Sequence, residues 1–329
     1  MKDNTITSAV IVGAGIFGVS TGVQLARRGI RVTMLNEGPP AGGASGRSLS
    51  WLNSSRMRSE PYHRLRMAGI DRYRTLSARF PDADWLRFEG GLTWDADDAS
   101  NGIDAAYRHE VSLGYDARHL SAGEVAAITP GVDTSTITPQ GAIFNPGEGW
   151  VDLPSLIGLL LKEFAALGGT LVTDQGAAKI VVEGGRAVGA ETAAGNRFTA
   201  DAVVLATGPA VPKMVAEAGE TIGDATPVAL LVQTKPLAHP LRAVLNTPRV
   251  AVRPAPGGTC SLDVGSKPIP GDGEPVVGAL RAIPGYHVAF SHSGATLGLI
   301  IGELLAHEVA TGSEHPMLAT FRPERFASR

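Results

Sequence analysis

The sequence predicts a two-domain α/β protein, with a central parallel sheet in one domain and a smaller, mainly antiparallel second domain. Three observations predict it. An apolar run of strand length, Ala9-Val10-Ile11-Val12, opens directly into Gly13-Ala14-Gly15-Ile16-Phe17-Gly18. Further apolar runs end in glycine-bearing turns far along the chain, at Ala206-Thr207-Gly208 and at Ser291-His292-Ser293-Gly294. Between them, apolar residues recur at helical spacing or in short strand-like runs. The 329 residues suffice for a large core, and a composition of 43% hydrophobic and 19% charged residues excludes a disordered chain. The formal charge of −3 argues against a nucleic-acid-binding surface. A single cysteine, Cys260, excludes an intramolecular disulfide, a cysteine-based zinc site and an iron–sulfur cluster, and fits a reducing cytoplasm. No metal site is expected.

The N-terminus needs care, because no charged residue lies between Asn4 and Ala26. Such a stretch can pass for a membrane span or a signal sequence. Gly13, Gly15, Gly18 and Gly22, with Ser8, Ser20, Thr21 and Gln24, argue against both. No transmembrane span is expected, and peripheral membrane contact stays open.

The first strand and its glycine turn lead into a helix carrying Val19, Val23 and Ala26, which closes at Arg27-Arg28-Gly29. Gly29 suits the left-handed position after a helix end. Ile30-Arg31-Val32-Thr33-Met34-Leu35 follows as a second buried strand. Strand, G-x-G-x-x-G, helix and strand within about thirty residues is the dinucleotide fingerprint of a Rossmann-like FAD/NAD(P)-binding domain. Gly13 makes the tight turn, Gly15 lets the backbone approach a pyrophosphate, and Gly18 lets helix and strand pack closely. The amides of Ile16 and Phe17 sit at the helix N-terminus, where free N–H groups and partial positive charge face the phosphates. An acidic residue normally ends the second strand and accepts from the ribose. Asn36 stands there with a neutral amide oxygen, and Glu37 offers a carboxylate one residue on. No arginine follows closely enough for a 2′-phosphate pocket, so NADP is disfavoured.

The next segment, Gly38 to Ser48, is rich in glycine and serine. Ala44-Ser45-Gly46-Arg47-Ser48 reads as a second dinucleotide-contacting loop; on composition alone it is equally a flexible surface loop. Leu153, Leu156, Ile157, Leu160, Leu161, Phe164 and Leu167 form one helical face, started by Asp152 and Pro154 and ended by Gly168-Gly169. Thr170–Thr173 is a third parallel strand. Lys179–Val182, Ala187–Glu191 and Asn196–Thr199 read as an antiparallel meander. Asp201–Leu205 leads into Thr207-Gly208, and Tyr286–Phe290 leads into the turn before Gly294. Leu297, Ile300, Ile301, Leu304, Leu305 and Val309 then follow helical spacing. The cofactor domain is expected at 1–85, 141–225 and 276–329, and the substrate domain at 86–140 and 226–275.

Together these segments resemble the D-amino acid oxidase family of FAD-dependent oxidoreductases, which includes glycine and sarcosine oxidases and D-amino acid dehydrogenases. The resemblance rests on Gly13–Gly18, on Ala44–Ser48 with Trp51-Leu52-Asn53, on Ala206-Thr207-Gly208, on Lys267-Pro268 with Asp272-Gly273, and on His292-Ser293-Gly294 with Thr296. It covers nearly the whole chain in the family's order. It implies FAD lying extended, with Ser45–Ser48 beside the pyrophosphate and flavin. Gly294, Ala295, Thr296 and Leu297 would line the flavin ring, and the backbone around Ala178 would hold the adenine. It also implies a small amine or D-amino acid substrate, whose α-carbon hydrogen leaves as hydride to flavin N5, with O₂ or a quinone as electron acceptor.

Relatives fix the substrate carboxylate with an arginine in a glycine–x–Arg–Pro segment. Here that segment is Gly265-Ser266-Lys267-Pro268, so Lys267 keeps the charge and loses the bidentate fork. His292 is the second candidate for the catalytic site; hydride transfer from a neutral amine needs no base, which favours a hydrogen-bonding role. Arg47, Arg56, Arg58, Tyr62 and His63 follow the serine-rich loop; they are candidates to reach the substrate cavity, and most of them read as a solvated helix face. The position where sarcosine oxidases attach flavin matches Gly265 rather than Cys260, so non-covalent FAD is expected. Between Arg253 and Lys267 the chain is shorter than in relatives and reads as two strands fused across a missing helix. An alternative function follows from that shortening: a flavin-binding protein with little turnover, or a subunit of a larger dehydrogenase complex. An NAD-linked dehydrogenase is disfavoured by the Ser45 loop and the C-terminal turn.

Overall fold

The computed structural model describes residues 6–226, 229–239, 241–265 and 269–326. The chain opens with β1 (Ser8–Val12), α1 (Ile16–Arg27) and β2 (Arg31–Leu35). Then come β3 (Trp51–Leu52), α2 (Glu60–Arg79), β4 (Leu86–Arg87), β5 (Gly91–Thr93), α3 (Ile103–Ser112), β6 (Arg118–Leu120), α4 (Ala122–Ile128), β7 (Ala142–Asn145) and β8 (Gly149–Val151). They are followed by α5 (Leu153–Ala166), β9 (Thr170–Val172), β10 (Ala178–Glu183), β11 (Arg186–Thr192), β12 (Arg197–Thr199), β13 (Ala202–Leu205) and α6 (Val211–Glu217). The last elements are β14 (Ala229–Gln233), β15 (Val244–Asn246), β16 (Ala251–Ala255), β17 (Thr259–Gly265), β18 (Val276–Ala279), β19 (Tyr286–Phe290) and α7 (Gly294–Thr311).

Two compact units emerge. The first draws on 1–47, 153–228 and 267–329, the second on 48–152 and 229–266. In the first, β19-β13-β1-β2-β9 run parallel in that order, with β18 antiparallel at one edge. All residues of β1 and β13 are buried, as strands covered on both faces require. Alternation sorts their side chains. Val10, Val12, Val203, Leu205, Val288 and Phe290 face one core with residues of the β10-β11-β12 meander and α6. Ile11 points the other way, against α1, which packs on α5 and α7. A long parallel crossover from β2 to β9 ends with α5, whose apolar residues Leu153, Leu156, Ile157, Leu160 and Phe164 are buried.

The second unit holds a seven-stranded sheet, β14-β17-β16-β15-β5-β7-β6, antiparallel except where β15 meets β5. A small antiparallel sheet, β3-β8-β4, accompanies it. Segments 48–85 and 141–152, expected with the cofactor domain, pack here instead. The reason is local: β3 and β4 both take their ladder partners from β8. In the other direction, 269–275 joins the first unit, where Asp224 bridges Pro270 and Arg325 pairs with Asp272 at 2.6 Å. The shortened region is a hairpin. Its second arm, β17, is one continuous strand of 7 residues, antiparallel to both β16 and β14. Among the described residues, no helix is long and apolar enough to cross a membrane, and no group of three or more His, Cys, Asp or Glu could hold a metal.

Candidate active site

Because β1, β2, β13 and β19 are parallel, the turns that follow them leave the same edge of the sheet. Ligands of open α/β sheets bind outside that carboxyl edge. The turn after β1 is built on two glycines. Gly13 has φ +110°, and a Cβ there would lie 2.4 Å from the Ala206 carbonyl oxygen, so the turn after β13 presses directly on the turn after β1. A Cβ on Gly18 would lie 1.9 Å from the Gly13 carbonyl oxygen. Both contacts are closer than any side chain allows, so the close packing expected of this fingerprint is present in full.

Helix α1 begins at Ile16 with Gly15 as N-cap, no capping side chain and no acidic residue in its first turn. Ser45 Oγ accepts from the Ile16 amide at 3.0 Å, which docks the serine-rich loop on the helix start. That loop forms a short helical turn over Ala44–Arg47. The Ala41 amide donates to the Ala14 carbonyl at 3.1 Å and holds its other end. Ser45 and Gly46 are thus fixed beside the glycine turn rather than loose on the surface. Arg47 is exposed, and Ser48 falls in the second unit, where its hydroxyl accepts from the Ser50 amide at 3.0 Å.

Asn36 and Glu37 divide the work at the end of β2. Asn36 Oδ1 accepts from the Ala14 amide at 2.8 Å, and its Nδ2 donates to Gly38 O at 2.7 Å and Pro39 O at 3.1 Å. The Asn36 side chain therefore clamps two loops together. Glu37, exposed and engaged by no described residue, carries the carboxylate that is open to a ribose. In the turn after β13, Gly208 has φ +61° and Thr207 Oγ1 donates to Met214 Sδ at 3.4 Å. Ala178 opens β10 and packs on the core that contains Val12 and Leu35, near the ends of β1 and β2.

The C-terminal turn reaches the same place. A Cβ on Gly294 would lie 3.6 Å from Ile16 Cγ2 and 3.9 Å from the Phe17 ring. Ala295, Thr296 and Leu297 are buried in the first turn of α7. His292 sits half-buried just before it, its Nδ1 3.5 Å from Ser293 Oγ. Front, middle and rear turns of the chain therefore converge on one edge. A helix start with no acidic residue in its first turn, two glycines without room for a Cβ, and an exposed carboxylate after β2 fit the phosphates and ribose of FAD. Lys267 lies outside the described residues.

A second polar centre lies inside the second unit, and sequence reasoning missed it. Tyr62 and His63 were expected on a solvated helix face; they are 2% and 6% exposed. The reason is that α2 buries Tyr62, Leu65, Arg66, Gly69, Ile70 and Tyr73 along one stripe. Arg66 is 2% exposed; it donates to Asn53 O and Asn53 Oδ1, each at 2.7 Å, and to the Tyr62 hydroxyl at 3.2 Å. Glu148 is wholly buried and accepts from the Tyr115 hydroxyl at 2.7 Å. Burial pushes its carboxyl up to about 8, with Glu110 adding to the rise and Tyr115, Arg66 and Trp51 opposing it. A Cβ on Gly91 would lie 2.1 Å from Glu148 Oε2, so only glycine leaves room for that carboxyl. Tyr115 also accepts from the Ser54 amide at 3.0 Å, and Ser54 Oγ meets His63 Nδ1 at 2.9 Å. Burial first, then Arg66 and His109, lowers the His63 imidazole below its ordinary value. The available signal was an arginine and a histidine at apolar positions of an otherwise regular helical stripe.

The family described as DAO, FAD dependent oxidoreductase, matches residues 8–266. An uncharacterised oxidoreductase from Bacillus subtilis (strain 168) is 28% identical over 214 residues, which cover 61% of this chain and 55% of that protein. A glycine oxidase from Geobacillus kaustophilus (strain HTA426) is 27% identical over 217 residues, covering 64% of this chain and 56% of the relative. The chain thus matches a little over half the length of these curated relatives. Among solved structures, glycine oxidase from Geobacillus kaustophilus superposes with a TM-score of 0.83 at 21% identity, covering 98% of this chain and 99% of the other. L-amino acid deaminase from Proteus myxofaciens gives 0.83 at 18% identity, covering 98% and 94%. Iminodiacetate oxidase from Chelativorans sp. BNC1 gives 0.79 at 20% identity, covering 96% and 98%.

Proposed function

Since the chain belongs to the DAO family of FAD-dependent oxidoreductases, we propose that it oxidises a small amine or amino acid of the glycine, sarcosine or D-amino acid kind. The observation that carries this reading is the convergence of the Gly13, Ala206 and Gly294 turns at one sheet edge. Bound FAD supplies the two-electron acceptor for the hydride that leaves the substrate's α-carbon. The protein's part is to bind and orient. The positive N-terminal end of α1 and the Ser45 loop hold the pyrophosphate, and Glu37 takes the ribose that Asn36 is too occupied to take. Thr207 and Gly208 flank the phosphate turn, the backbone at Ala178 borders the adenine, and residues 294–297 present the positive end of α7 to the flavin. His292 supplies a hydrogen bond beside that turn. Lys267 offers a point charge for the substrate carboxylate. FAD is held non-covalently, because Gly265 stands where a cysteine tether would be needed; yellow colour retained by acid-precipitated protein contradicts this. Re-oxidation is by O₂ or a quinone, and the enzyme works in the cytoplasm.

The test is anaerobic bleaching of the yellow protein by a panel of D-amino acids, glycine and sarcosine. Loss of flavin absorbance with one class assigns the substrate. A protein that keeps its colour with every compound is instead a flavin-binding subunit with little turnover, the reading that the shortened β16–β17 hairpin favours.

A further inference from the structure

A sheet edge presents unpaired N–H and C=O groups, and proteins blunt such edges with charge, bulges, brevity or a cover. Among the described residues, the edges here follow that rule with one exception. β6 has 3 residues, of which Arg118 and His119 are exposed. β10 carries Lys179 and Glu183 and a register shift between Val181 and Val182. β12 has 3 residues and carries Arg197. β9 has 3 residues, and β3 and β4 have 2 each. β18, buried over Val276–Gly278, has the C-terminal tail packed on it. β14 has none of these protections. It is an edge strand of 5 residues, Ala229-Leu230-Leu231-Val232-Gln233, with no charge and no proline.

The ladder to β17 fixes which groups of β14 are free. The Thr234 amide donates to Cys260 O at 2.9 Å, continuing a register that pairs Leu230 with Val264 and Val232 with Leu262. Antiparallel strands alternate, so Leu230 and Val232 spend their N–H and C=O on β17, while Ala229, Leu231 and Gln233 turn theirs to the open edge. Side chains alternate as well. Leu230 and Val232 stand on one face, 57% and 43% exposed. A second copy run antiparallel with its dyad at Leu231 matches both patterns at once. Leu231 meets its own twin, Ala229 meets Gln233, and each such pair exchanges two hydrogen bonds. On the exposed face Leu230 of each copy lies opposite Val232 of the other, so four apolar side chains meet. A dyad at Val232 would set Leu230 against Thr234, and a dyad at Leu230 would run Gln233 beyond the start of the strand. Charge agrees with the Leu231 dyad. The nearest charged residue downstream, Lys235, lies just past the strand. Its two copies fall at opposite ends of the ladder, roughly 25 Å apart at about 3.4 Å per residue and well beyond the screening length of about 8 Å.

We propose that β14 is a homodimer interface: two copies of this chain pair β14 to β14, antiparallel about a two-fold axis at Leu231, into one continuous sheet. The contact is isologous, so each outward group finds its complement in the twin. One strand is a small footprint against the roughly 800 Å² that each partner contributes to a standard interface, so the association is concentration-dependent. It is independent of which substrate the enzyme oxidises.

The test is sedimentation velocity of the full chain with its flavin, from low to high micromolar concentration. Wild type should move from monomer toward dimer as concentration rises. Val232→Lys should weaken the dimer by at least about tenfold, because the dyad repeats the lost apolar contact twice. Leu230→Glu combined with Val232→Lys should bring association back to within about threefold of wild type at low salt, since each new carboxylate then faces a new ammonium across the dyad, and added salt should weaken it again. Both side chains are exposed, so the dilute, monomeric variants should melt within about 2 °C of wild type. Hydrogen exchange reads the same edge: the Leu231 and Gln233 amides should slow as concentration rises, while the Val232 amide is slow throughout. A wild type that stays monomeric at every concentration, a dimer indifferent to Val232→Lys, or a double variant no more dimeric than Val232→Lys alone would overturn the proposal. The first of these results would leave the edge to an extended segment of another protein.

Discussion

Gly18 has no room for a single added carbon, since the Gly13 carbonyl oxygen already stands 1.9 Å from where it would go. Gly18→Ala should therefore cost about 1–3 kcal/mol through overpacking, seen as a lower melting temperature and a lower flavin-to-protein absorbance ratio. Glu148 makes a prediction of a different kind. Its carboxyl is held up at about 8 against an ordinary 4.5, chiefly by burial. The folded state thus keeps a proton that the unfolded chain has released across that window, so stability declines as pH rises from about 4.5 to about 8 and is level on either side. Glu148→Gln, which keeps the hydrogen bonds and cannot ionise, should flatten the fall in melting temperature between about pH 5 and pH 8. An unchanged slope would show that another group carries it. At this scale the sequence was legible where a motif fixes a backbone shape, as at Gly13 and Gly18. It was not legible where a side chain's neighbours come from distant segments. Nothing around Glu148 in the sequence announces Tyr115 or Gly91, and Asn36 could not be told from Glu37 until the Ala14 amide was seen to occupy it.

At the level of elements, the C-terminal tail is pinned to α7 by one buried pair. Arg322 donates to both Glu308 oxygens at 2.7 Å, and the two side chains are 10% and 5% exposed. The His315 amide donates to Glu308 Oε1 at 2.6 Å as well. Arg322→Ala leaves Glu308 buried without its cation and should destabilise by about 3–5 kcal/mol, measured by urea unfolding. Removing both charges together with apolar residues of similar size should restore most of the loss. The helices were the readable elements. The stripe from Leu153 to Phe164 and the one from Leu297 to Val309 are buried as their spacing required. The short strands were harder. β3 and β4 have 2 residues each and owe their existence to β8, a partner that no local pattern reveals, and this moved 48–85 and 141–152 into the second unit. α2 misled for the same reason: its charged and aromatic composition reads as a solvated surface, while Arg66 and His63 are satisfied by the β3–α2 connection.

For the molecule as a whole, the sequence carried its class because the cofactor's needs are distributed along the chain. The turns after β1 and β13 meet in close approach at Gly13 and Ala206, the turn after β19 lies in ordinary contact with Ile16, and each turn was visible separately. Their meeting at the carboxyl edge of one parallel sheet was an expectation of topology, and the distances from Gly13 to Ala206 and from Gly294 to Ile16 bring them together. The most direct measurement is the absorption spectrum of the cofactor released when the purified protein is denatured in acid. A yellow supernatant with the flavin spectrum, stoichiometric with the chain and identified as FAD by mass, is the expected result. A nicotinamide spectrum, or colourless protein that takes up no added FAD, would contradict the convergence of these turns on one flavin dinucleotide.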